Sequence, residues 1–201
     1  IDGVRVKKQR PDLVKHFVKA ICKSLTKYDD FVEMYNAQID ALGLSDDPSI
    51  LLESRTYENI LHACDYVLWN QWRSFRYYNI PEHDYEELLS TLNLGEYEDI
   101  EISALKLYRD YPELMQQYDI QDENELHNLL KKIWTDNNSK VNFGRMPTIE
   151  IGTMDRNNQV LSLLLQYAPI SGEDFADRYE EAYGIKASTV LANYMAAFDP
   201  Y

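Results

Sequence analysis

The chain has 201 residues, enough for one large domain or two to three small ones with a real hydrophobic core. Its composition is that of an ordinary globular protein except for 16 Tyr, an enrichment that suits amphipathic helix surfaces and partner contacts. No apolar run approaches the length of a membrane span, nothing resembles a signal peptide, and a formal net charge of −14 sets the chain apart from dedicated, strongly basic DNA binders.

The charge is uneven. Residues 1–28 carry eight Lys/Arg against two acids, residues 29–130 five against 23, and residues 131–201 seven against nine, or +6, −18 and −2. An acidic middle repels phosphate, so nucleic-acid contact is expected only from the ends of the chain. Cys22 and Cys64 are expected as reduced, buried thiols of a cytoplasmic protein rather than as a disulfide. The chain opens without Met on a strand-like stretch, residues 1–6, and reads as a piece of something longer.

In chain order, Pro11 and Asp12 open a helix whose Leu13, Val14, Phe17, Val18, Ile21, Cys22 and Leu25 form a broad apolar stripe. Lys15, Lys19, Lys23 and Lys27 lie on the opposite side at spacings of four. A second helix carries Phe31, Val32, Tyr35, Ile39 and Leu42 and ends at Gly43; the loop around Asp47-Pro48 marks a unit boundary. From residue 54 to 77 the spacing of Tyr57, Ile60, Leu61, Cys64, Val67, Leu68, Trp72 and Phe75 predicts one long helix as the spine of the middle region. Pro81 begins a shorter helix with Tyr85, Leu88, Leu89 and Leu92 inward, and residues 97–102 read as extended.

The next stretch is the most legible. Ser103 caps a helix carrying Leu105, Leu107 and Tyr108, and Pro112 takes the first position of another that ends near Tyr118-Asp119-Ile120. Asp122 fits an N-cap with Glu125 three residues on, ahead of Leu126, Leu129, Leu130 and Ile133 at helical spacing. The polar run 135–139 breaks that helix, and residues 141–143 and 148–151 alternate around a turn at Gly144, which predicts a hairpin.

Beyond it, Val160, Leu161, Leu163, Leu164 and Leu165 form a near-continuous apolar run that predicts burial on most sides. Ser171 and Asp174 cap the following helix, Gly184 stops it in the left-handed conformation, and residues 187–198 form a last helix. Tyr-x-Ile recurs at 78–80, 118–120 and 183–185, each time between helices, which points to imperfect copies of a small helix-turn-helix.

Three helices followed by a hairpin resemble a winged helix-turn-helix unit, with residues 122–134 as its third helix and 141–151 as its wing. Residues 153–201 are similar to the first three elements of a second such unit. The resemblance implies a mainly α fold with short β-hairpins and winged-helix-like units in tandem. Four segments are expected: an N-terminal helical segment with a short leading strand (1–47), a middle helical unit (48–102), the winged-helix-like unit (103–152) and a C-terminal helix-turn-helix unit (153–201). In a winged unit the third helix enters the major groove and the hairpin rests on the backbone. The resemblance therefore implies contact with double-stranded DNA through Asn128, Lys131, Lys132, Lys140, Asn142 and Arg145, the cations on phosphates and Asn128 on an adenine edge. Lys15, Lys19 and Lys23 make a second cationic patch.

Other chemistries find no support in the residue pattern. His16, His62, His83 and His127 never fall into a ligand pair with Cys22 or Cys64 at zinc-site spacing. There is no Gly-rich phosphate loop and no nucleophile elbow, and the acid pairs Glu86-Glu87 and Glu180-Glu181 read as solvated helix faces. No catalytic residue, metal, cofactor or membrane partner is expected. The expected task is binding, as a DNA-associated or transcription-regulatory module of a larger protein, with a protein-interaction scaffold of acidic surface as the alternative.

Overall fold

Helical periodicity dominates the chain, and the computed structural model, which describes residues 1, 3–53, 55–135 and 140–195, is accordingly mainly α with short hairpins. Its residues group into two compact units, Ile1–Asp84 and Tyr85–Tyr201.

In the first unit, helix α1 (Arg10–Ile21) has Pro within its first turn, where a missing N–H is harmless, and turns Leu13, Val14, Phe17 and Val18 inward. Strand β1 (Thr26–Lys27) runs into helix α2 (Tyr28–Ala41), which buries Tyr28, Phe31, Tyr35 and Ile39 at helical spacing. The loop after α2 is held by side chains. Tyr35 Oη donates to the Ile50 carbonyl at 2.7 Å, and Asn36 both donates to the Leu52 carbonyl and accepts from its N–H. Helix α3 (Arg55–Ala63) follows, then strands β2 (Val67–Asn70) and β3 (Ser74–Tyr77), in a sheet of order β1-β3-β2 with antiparallel pairs. Phe75 joins the layers, its ring 5.4 Å from Phe31 and 5.0 Å from Trp69. Each such fully buried side chain contributes roughly 1.5–3 kcal/mol of transfer free energy.

Two expectations fail in this unit. The long helix over 54–77 is a nine-residue helix followed by a hairpin. Its turn lacks the Gly, Asn or Pro that announces a chain reversal: Trp72 and Arg73 themselves take left-handed φ of 60° and 55°. Arg73 is anchored there by Glu58 and Asp29 and lies over the Tyr28 ring. The strand at residues 1–6 does not form either. Among the described residues no strand pairs with that stretch, and Ile1 and Val4 bond each other in a local turn instead, the Val4 N–H donating to the Ile1 carbonyl at 2.7 Å.

In the second unit, helix α4 (Glu86–Leu92) ends on Asn93 in the left-handed conformation. Then come strand β4 (Ile100–Ser103), helices α5 (Ala104–Asp110), α6 (Pro112–Gln117) and α7 (Glu123–Ile133), and strands β5 (Val141–Phe143) and β6 (Thr148–Ile151). The sheet order is β4-β6-β5, all antiparallel, with Ile102 opposite Ile149 and Phe143 opposite Ile149 on its other side. The start signals work as read. Ser103 accepts from the Leu105 N–H, and Asp122 from those of Asn124 and Glu125. Glu125 reaches back to the Gln121 N–H. Helices α8 (Arg156–Tyr167) and α9 (Gly172–Tyr183) and a short helix (Ala187–Thr189) that continues as one π-helical turn (Val190–Tyr194) complete the unit. Of the polar run 135–139, residues 136–139 lie outside the described residues, as does the last helix beyond 195.

The C-terminal helices enclose their own core of Val160, Leu163, Phe175, Ala176, Tyr179, Ile185, Val190 and Tyr194. They also grip β4. Gln159 accepts from the Glu101 N–H and donates to its carbonyl, while Arg156 and Tyr194 hold the Glu101 carboxylate. Segments 103–152 and 153–201 thus share one unit. The apolar run on α8 is not buried on most sides: Gln159, Val160 and Leu163 are buried and Leu164 packs half-buried against the core, whereas Leu161 and Leu165 are exposed. Of the three Tyr-x-Ile sites, two share left-handed middle residues between helices, Asp119 at φ 49° and Gly184 at φ 71°, whereas Asn79 has φ −87°.

Candidate functional site

Residues from the end of α7 through the hairpin carry most of the cations that the sequence singles out. Helix α7 ends with Lys131 and Lys132 in its last turn, where cations also complement the carbonyl end of the helix dipole. Lys140, Asn142 and Arg145 follow on the hairpin, all exposed. The hairpin is fixed to the helices by two hydrogen bonds, from the Ala104 N–H at the start of α5 to the Pro147 carbonyl and from His127 Nε2 to the Thr148 carbonyl at 3.0 Å, and its own turn is closed by the Thr148 N–H donating to the Arg145 carbonyl. The Phe143 ring then sits edge-on to His127 and to Trp134.

His127 is the hinge pin of this arrangement. It is buried, its Nδ1 has no hydrogen-bond partner, and burial, followed at longer range by Lys131, pushes its pKa down to about 4. The ring is therefore neutral at physiological pH, with its proton on Nε2, because a carbonyl can only accept.

The structure separates the candidate residues into two groups. Lys131, Lys140 and Arg145 are exposed and Lys132 is half-buried. Asn142 is exposed and donates to Glu150 on the neighbouring strand at 3.0 Å. Asn128 is different: it is 4% exposed, in a run from Asn124 to Leu130 that is buried throughout. A side chain at that depth does not reach a base edge. The second patch also has an intramolecular role. Lys15 Nζ lies 5.0 Å from the Tyr66 ring centroid and Lys19 Nζ 5.8 Å from that of Tyr77, geometry that suits cation–π attraction, while Lys23 is exposed beyond α1.

Two features escaped the sequence reading. One is the cluster around Glu101, a carboxylate 2% exposed with Arg156 Nε at 2.9 Å and Tyr194 Oη at 3.0 Å; its partners lie 55 and 93 residues away, so no local pattern announces it. The other is Trp72, 86% exposed at the tip of the β2–β3 hairpin, hidden by a turn that carries no turn residue. Neither cysteine is in a disulfide, and burial pushes the Cys22 thiol up to about 11. Among the described residues no group of three His, Cys, Asp or Glu side chains converges as a metal site, and no helix is long and apolar enough to cross a membrane. No family model, curated protein or solved structure matches the chain.

Proposed function

We propose that the chain is a non-enzymatic binding module whose second unit works as a winged-helix-like body on duplex DNA, touching phosphates and not bases. One observation carries the reading: a strand, three helices and a hairpin follow in that order, the hairpin is tied to α7 through His127, and Lys131, Lys140 and Arg145 on these elements are exposed while Lys132 is half-buried. The burial of Asn128 removes the base-reading role and leaves charge as the source of affinity. Four phosphate contacts give a slope of log K against log salt of about −3 to −4, so binding is weak and steeply salt-dependent.

A second reading has its own support. The second unit carries nine Lys/Arg against 21 acids, a net −12, and buries the helix face that a DNA reader would present. Both facts favour docking of a protein partner. Anisotropy titrations of a labelled duplex at two low salt concentrations separate the two. The DNA reading expects binding that weakens with salt and at least a tenfold loss in the Lys131→Glu/Lys132→Glu variant, with an unchanged circular dichroism spectrum. Absence of binding at the lower salt, or binding indifferent to the charge reversal, leaves the protein-docking reading.

A further inference from the structure

Acidic charge in the second unit is concentrated where no base offsets it. Residues 85–130 carry twelve acids and two bases, and both bases are already paired, Lys106 with Asp110 and Arg109 with Glu180 at 3.0 Å. Helices α4 and α6 are joined in this stretch by Gln117 Nε2, which donates to Glu87 Oε2 at 2.8 Å. Beside that bridge lies a groove of about 440 Å³. Its walls combine the carboxylates of Glu87, Asp110 and Glu113 with the apolar surfaces of Tyr111, Pro112 and Leu114, and among the described residues no Lys or Arg lines it.

Charge and shape together decide what fits. The Gln117 amide orients the Glu87 carboxylate without neutralising it, and Glu113 is exposed in the first turn of α6. Negative potential is thereby focused in a concave site with apolar walls instead of being spread over a convex helix face. The acids are too dispersed for one metal ion: among the described residues no three His, Cys, Asp or Glu side chains converge. A nucleic acid is repelled. The complement is a chain segment with several Lys or Arg and an apolar side, whose cations reach Glu87 and Glu113 while its apolar groups lie against Tyr111 and Leu114.

We infer that the groove between α4 and α6 is a docking site for a Lys/Arg-rich, amphipathic peptide segment of a partner protein. The site rests on the protein-docking reading of the second unit and shares no residue with the DNA reading, so it stands or falls independently of duplex binding. Exposed ion pairs are individually weak and are screened by salt, so affinity is modest and falls as ionic strength rises. Docking in the groove, unlike diffuse attraction to the net charge, depends on which acids are present and on the apolar side of the peptide.

Anisotropy titration of the full chain into a labelled peptide of about 14 residues, built of Leu and Lys with its leucines on one helical face, tests this. Binding is expected at low salt with a Kd of about 1–100 µM, weakening as salt is added. Glu87→Lys/Glu113→Lys is expected to weaken it at least tenfold and Glu87→Gln/Glu113→Gln by less, both with an unchanged circular dichroism spectrum. Glu96→Lys/Glu98→Lys makes the same change of charge at exposed positions outside the groove and is expected to cost less than threefold. A peptide with Ser in place of Leu, equal in charge, is expected to bind at least tenfold more weakly. Equal losses from the two charge reversals, or equal affinity for the two peptides, would overturn the groove and leave the protein-docking reading in place; no binding by the wild type at low salt would overturn the basic partner itself.

Discussion

The buried imidazole of His127 makes the stability of the second unit depend on pH in a way that can be isolated. Burial holds its folded pKa at about 4 against an ordinary value of 6.5, so on acidification the unfolded chain takes up the proton first. The sign follows directly. The contribution of the neutral ring is complete above pH 6.5, declines as the pH falls toward 4, and is lost below that. Its size, from the distance between the two pKa values, is about 3 kcal/mol.

His127→Gln keeps a donor for the Thr148 carbonyl and removes the titration. Urea unfolding followed by circular dichroism between pH 7 and pH 4 should therefore show the wild type losing about 3 kcal/mol more than the variant, a difference in midpoint shift of roughly 1–3 M. Carboxylates titrate in the same range, but they are common to both proteins and cancel in the comparison. The absolute stability at pH 7 is lower in the variant, from lost packing, and does not bear on the test. Equal pH dependence in the two proteins would refute the reasoning, and with it the neutral ring as the tie between α7 and the hairpin.

Gly184→Ala should destabilise the second unit by at least 1 kcal/mol, read as a fall in melting temperature of several degrees, since the position has φ +71° and a Cβ there would sit 2.5 Å from the Lys106 backbone nitrogen. Glu101→Gln removes the charge that Arg156 and Tyr194 are arranged around; a loss of about 2 kcal/mol is expected, with limited proteolysis now cutting within residues 187–195. Unchanged stability in that variant would mean that the C-terminal helices are held by their apolar core alone.

Local signals were legible wherever the chain uses standard chemistry. Asp122 with Glu125, Ser103, Ser171 with Asp174, and Gly184 each mark a helix end that the structure realises, because a cap is decided within four residues. The 141–151 hairpin was legible for the same reason: alternation and a Gly-containing turn lie next to each other. The β2–β3 hairpin was not. Its apolar positions fit a helical period, and its turn is carried by Trp72 and Arg73 in a conformation that neither residue favours, so the pairing across the strands and the anchors on Arg73 decide it.

By itself, then, the amino-acid order determined the capped helix ends of the second unit, the mainly α class and the uneven spread of charge along the chain, all consequences of period, capping and charge. Tertiary packing decided the rest. It buried Asn128 and left Lys131, Lys140 and Arg145 in solvent, joined Glu101 to residues far along the chain, and left Leu161 and Leu165 of an apparently core-forming helix uncovered. A sequence period says which residues share a face; which of two apolar faces meets the core depends on long-range contacts that no local window contains.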